Sequence, residues 1–101
     1  MHLVQILLPL YDNQARKFPR SHFETVASEI TARFGGLTAY TRSPAQGRWK
    51  QRAGTSYDDV IVFEVMVEKL HRSWWKGLRA RLERTFRQKE VVIRAQPIEL
   101  L

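Results

Sequence analysis

Asp59-Val60-Ile61-Val62-Phe63-Glu64-Val65-Met66-Val67 decides how this chain folds. Its β-branched and aromatic residues predict a strand. Successive side chains of a strand point to opposite faces. Ile61, Phe63, Val65 and Val67 therefore share one face, and Val60, Val62, Glu64 and Met66 the other. Both faces are apolar, which places the strand in the middle of a sheet. Glu64 is the exception. An isolated carboxylate there would be costly to bury, so the sequence requires a partner for it, and Arg94, Gln5 or a basic residue of a second copy are the candidates.

Working outward, His2 to Leu10 repeats the pattern, with Val4, Ile6 and Leu8 on one face and Leu3, Gln5 and Leu7 on the other. This predicts a second central strand, with Pro9 at its end because proline cannot donate to a ladder. Between the two, Ser21-His22-Phe23-Glu24 has the form of a capping box. Phe23, Val26, Ala27, Ile30 and Phe34 follow at helical spacing, and Gly35-Gly36 supplies a C-cap. Leu37 to Arg42 predicts another strand. Ser43 to Tyr57, with Pro44, Gly47 and Gly54, reads as an irregular loop. Lys69 to Gln88 predicts a second helix, with Trp74, Trp75, Leu78, Leu82, Thr85 and Phe86 on one arc and Lys69, Arg72, Lys76, Arg79, Arg84 and Arg87 opposite. Gly77 inside it costs about 1 kcal/mol relative to alanine, which a close crossing would explain. Glu90 to Leu101 closes the chain as a last strand, with Val91, Ile93 and Ala95 inward.

The order β-α-β-β-α-β, in one domain over residues 1–101, predicts a ferredoxin-like α+β fold. Its sheet is antiparallel, in the order fourth, first, third, second strand, with both helices on one face. The two most apolar strands then fall in the centre. Their second face carries Leu7, Val62 and Met66 with no helix left to cover them, which predicts a homodimer with sheets face to face. Strand parity puts Gln5, Glu64, Arg94 and Gln96 on that face, joined by Tyr40 or Thr41. Arg94, Gln5 and Glu64 fall in a row. Two readings stand: a hydrogen-bonded row that fixes dimer register, or the lining of a ligand pocket.

Composition narrows the classes. A chain of 101 residues holds one core. The absence of cysteine excludes a disulfide scaffold, a zinc-thiolate site and a thiol nucleophile. No apolar run approaches the roughly 20 residues of a membrane span. Met1-His2-Leu3 opens without a basic n-region, so a cytoplasmic protein is expected. The net charge is +7, and Lys69 to Lys89 contains eight basic residues against one acid, Glu83. That permits an acidic partner without requiring one.

His2, His22 and His71 lack ligand spacing, so neither a metal nor a cofactor is expected. No phosphate-loop, dinucleotide or serine-elbow motif occurs. Asp58 and Asp59 are adjacent on a strand and point apart, which disfavours a shared-proton pair. Arg48 and Trp49, with Lys50 and Arg52, could clamp an anionic ring. Alternatively, Trp49 packs on its own hairpin while the basic residues are solvated. The basic side of the second helix suits phosphates, or is simply a solvated face, and the third strand lacks the aromatic signature of sheet-borne RNA readers.

Gly35-Gly36-Leu37-Thr38-Ala39-Tyr40, Gly47-Arg48-Trp49-Lys50 and Val60 to Val67 together resemble small bacterial proteins of the dimeric α+β-barrel branch of the ferredoxin-like fold. The resemblance implies fold and dimerisation and transfers no catalytic residue. Some members of the wider superfamily oxidise or isomerise small aromatic compounds without a cofactor. The expectation is therefore a homodimeric small-molecule-binding or regulatory protein, taking a small anionic or aromatic ligand at Gln5, Tyr40, Arg48, Trp49, Glu64, Arg94 and Gln96. The alternatives are a cofactor-independent enzyme acting on a small aromatic or carbonyl compound, and a nucleic-acid binder using the second helix.

Overall fold

The computed structural model describes the backbone of residues 1–51 and 54–101 and the side chains of residues 1–40 and 59–101. Among them the elements are β1 (His2–Pro9), α1 (Arg20–Phe34), β2 (Thr38–Gln51), β3 (Gly54–Val67), α2 (Arg72–Thr85) and β4 (Val92–Pro97). The strands form an antiparallel sheet in the spatial order β2-β3-β1-β4. This differs from chain order and puts β1 and β3 in the middle, where their two-sided apolar pattern requires them. No described helix is long and apolar enough to cross a membrane.

The helix side of the sheet is the core. Val4, Ile6 and Leu8 of β1 and Ile61, Phe63, Val65 and Val67 of β3 are buried in one cluster with Phe23, Val26 and Ile30 of α1 and Trp75, Leu78 and Leu82 of α2. Both helices thus cover the same face. Phe86, just past α2, is fully buried and meets Phe18 edge-on at 5.0 Å between ring centroids. Phe34 is half-buried and stacks on Trp75 at 5.2 Å. Gly35 ends α1 as expected, with φ 82° and its N–H donating to the Thr31 carbonyl.

The capping box does not form. Phe18 is buried and its N–H is held by the Leu10 carbonyl, so the chain enters the helix early. Pro19 becomes the N-cap and α1 starts at Arg20. Ser21 then lies inside the first turn, with no side-chain cap bond, and Glu24 pairs with Arg20 at 2.9 Å instead.

The segment read as an irregular loop is a long hairpin. β2 runs on to Gln51 and β3 begins at Gly54. Tyr40 pairs with Val62 but Ala45 with Val60, so the four residues 41–44 stand against Ile61 alone. This bulge absorbs Pro44, which lacks the N–H a continuous ladder needs. Gly54 to Asp58 pairs with Gly47 to Gln51 and, among the described residues, with no third strand.

The second helix and last strand are shorter than their patterns. α2 stops at Thr85 because Arg87 adopts φ 51° and Gln88 donates back to the Glu83 carbonyl. Val91 is held instead by the Glu83 carboxylate at 3.0 Å, and β4 ends at Pro97.

Gly77 has no close crossing. It is exposed, and a Cβ there would meet nothing within 4 Å. Gly77→Ala is therefore expected to stabilise the fold by up to about 1 kcal/mol in denaturant unfolding, since alanine loses less backbone entropy. A destabilised variant would show that the helix needs the bare backbone.

Candidate functional site

On the face away from the helices, one side chain from each strand joins a hydrogen-bonded row. The register places Gln5 of β1 directly opposite both Glu64 of β3 and Arg94 of β4. Gln5 donates from Nε2 to Glu64 Oε1 at 2.6 Å. Arg94 Nε donates to Gln5 Oε1 at 2.7 Å. The glutamine amide thus turns its oxygen to the cation and its nitrogen to the carboxylate. Tyr40 of β2, opposite Val62, reaches diagonally and donates its hydroxyl to Glu64 Oε2 at 3.2 Å. Its phenol is held above its ordinary pKa, first by that hydrogen bond and then by the negative charge of the carboxylate.

The surroundings are apolar and open. Leu3, Leu7 and Val62 are half-buried on this face, while Met66 is 52% and Val92 42% exposed. Gln5 and Glu64 are half-buried, and Tyr40 and Arg94 are exposed. A depression of about 370 Å³ opens beside Glu64, lined by Leu3, Leu37, Thr38 and Met66 and by the glycine pair at the end of α1.

The structure therefore brings together Tyr40, Glu64, Gln5 and Arg94. Tyr40, rather than Thr41, is the β2 member seen in the row; the Thr41 side chain lies outside the described residues. Gln96 shares the face but sits opposite Leu3, one pleat away, with no hydrogen bond among the described residues. The side chains of Arg48 and Trp49 also lie outside the described residues; their backbones pair with Tyr57 and Ser56 in the hairpin. The depression was not foreseen, because it depends on how the end of α1 joins β2, although Gly35-Gly36 marks the place.

Chemically, each Glu64 oxygen already accepts one hydrogen bond and retains capacity for another. Among the described residues Arg94 spends only Nε on Gln5, and its terminal nitrogens can meet an anion. The row thus carries a carboxylate and a guanidinium two strands, or roughly 10 Å, apart.

No family model matches the chain, and neither does any curated protein at the level of sequence. Solved structures do. The chain is similar to a phage SAM lyase, both in complex with S-methyl-5'-thioadenosine (TM-score 0.59, 18% identity, covering 94% of this chain and 79% of that one) and in its apo state (0.63, 14%, 94% and 78%). It is also similar to the divalent cation tolerance protein CutA1 of Thermus thermophilus (0.61, 15%, 97% and 84%). At these identities the likeness is one of fold: a small α+β protein.

If Tyr40 bonds to Glu64 as described, its phenol should titrate above the ordinary value near 10. An ultraviolet difference titration should show a high-pKa component that Tyr40→Phe removes and Glu64→Gln moves down. A profile unchanged in Glu64→Gln would break the row at this joint.

Proposed function

We propose that the protein binds a small organic molecule at the outer face of the sheet, in a site closed by self-association of the chain. The observation that carries this reading is the row Tyr40–Glu64–Gln5–Arg94 set into an otherwise apolar, uncovered face. A half-buried carboxylate on such a face is expensive unless it serves recognition or fixes register. The depression beside Glu64 gives a ligand a place to sit. Glu64 would accept from a donor or cation of the ligand, Arg94 would hold an anionic group, and Leu3, Leu37 and Met66 would pack on its apolar part.

Two features support self-association, in its simplest form a homodimer of the dimeric α+β-barrel kind. A second copy would cover Leu7, Val62, Met66 and Val92. It would also support the projecting hairpin, since a two-stranded ribbon is marginally stable by itself in water. Arg48 and Trp49 of that hairpin would then complete the site from the neighbouring copy.

The phage SAM lyase bound to S-methyl-5'-thioadenosine lends the ligand class: a nucleoside, with an aromatic base and a hydroxylated sugar. A divalent cation fits less well, because Glu64 is the sole carboxylate among the described residues of the row and hard cations gather several oxygens. An enzyme would use the same groups, and the Tyr40–Glu64 bond favours this as the second reading by placing a proton donor against a carboxylate.

Thermal unfolding with S-methyl-5'-thioadenosine, S-adenosylmethionine and divalent metal ions tests the site. A ligand at 100 times its Kd stabilises by about 2.7 kcal/mol. The expected result is a rise in Tm with a nucleoside probe that is lost in Glu64→Gln, with chromatography of the probe reporting turnover. No shift with either nucleoside, or the same shift in Glu64→Gln, would contradict the reading.

A further inference from the structure

We propose that the free edge of β4 is a docking groove for an acidic, extended peptide, which joins the sheet as an added strand. This rests on the opposite side of the sheet from the row and stands independently of it.

β4 is an edge strand, bonded to β1 on one side only among the described residues. It is also poorly covered. Ile93 is half-buried and Ala95, though its parity turns it toward the helices, is exposed. α2 therefore stops short of the edge and leaves a groove of about 180 Å³ between itself and the inner face of β4. Val4, Trp75 and Ile93 contribute apolar wall, and Arg72, Lys76 and Arg79 the charge.

Among the described residues this charge is unspent. Several other arginines find carboxylates: Arg81 meets Glu29 at 2.8 Å, Arg20 meets Glu24 at 2.9 Å, and Arg16 meets Asp12 at 3.3 Å. No carboxylate among the described residues pairs with Arg72, Lys76 or Arg79. Arg72, Lys76 and Arg79 recur at i, i+4 and i+7 and so form one stripe along α2. The step from Arg72 to Lys76 rises about 6 Å and that from Lys76 to Arg79 about 4.5 Å, against roughly 6.6 Å between alternate side chains of a strand, so long flexible side chains can follow the alternation.

An extended segment bonded to β4 would send every second side chain under α2, where acidic groups at alternate positions meet that stripe. Main-chain bonds supply affinity in such strand addition, and the alternate side chains supply specificity. A single-stranded nucleic acid would want exposed aromatic faces for its bases. The aromatic residue in this groove, Trp75, is only 6% exposed. The open main-chain edge and the groove beside it favour the peptide.

The test is fluorescence anisotropy with a labelled peptide of alternating Glu and Val, added to the full chain. Two further versions carry N-methyl groups on one or the other set of alternate amides, since each set faces one edge of a strand. Binding is expected, with one methylated version losing it and the other retaining it. Arg72→Gln/Lys76→Gln should weaken binding by about tenfold, while Arg84→Gln/Lys89→Gln, which removes the same charge elsewhere, should change it little. Thermal unfolding of both variants confirms that each is folded. Four results would overturn the proposal: no binding, equal loss in both charge variants, indifference to both methylation patterns, or tighter binding of an oligodeoxynucleotide of the same charge.

Discussion

Two helices can cover one face of a four-stranded sheet, and β1 and β3 carry apolar side chains on both. Everything else in the structure follows from how that mismatch is handled. Val4, Ile6 and Leu8 with Ile61, Phe63, Val65 and Val67 meet α1 and α2 and form the core. Leu3, Leu7, Val62 and Met66 are left on the outside, with Gln5 and Glu64 among them. The same register that buries Ile6 against Phe63 sets Gln5 against Glu64. A slip of one residue would exchange the faces, putting the carboxylate into the core and the core into water. Core and polar row therefore specify the register together.

The parts of the fold that were legible are those where period and burial agree. The two central strands, their faces and their central position could be read because alternation persists over eight or nine residues. The apolar stripe of α1 and its Gly35 stop were equally plain. The failures have local causes. Ser21 through Glu24 matched a cap motif, but Phe18 is anchored upstream and commits the chain to Pro19 as N-cap. Pro44, Gly47 and Gly54 looked like loop residues, whereas one bulge accommodates the proline and the ladder resumes at Ala45. The end of α2 was invisible because Arg87, not a glycine, takes the left-handed conformation.

The candidate site divides in the same way. Arg94, Gln5 and Glu64 could be aligned from parity and strand order alone. The diagonal reach of Tyr40 could not, because it follows from Thr38 rather than Tyr40 standing opposite Glu64. The depression beside Glu64 needs three segments in space, and no periodicity encodes it. The basic stripe of α2 was visible as charge, but only the fold shows that it borders the edge of β4. Of the comparisons, the solved structures agree on architecture and leave function to the chemistry of these two surfaces.

Self-association is proposed to cover the outer face, with its polar row and its exposed apolar rim. Sedimentation equilibrium at micromolar concentration tests it most directly. The expected particle has at least twice the chain mass of 11.9 kDa. A mass of one chain across the whole concentration range would contradict it.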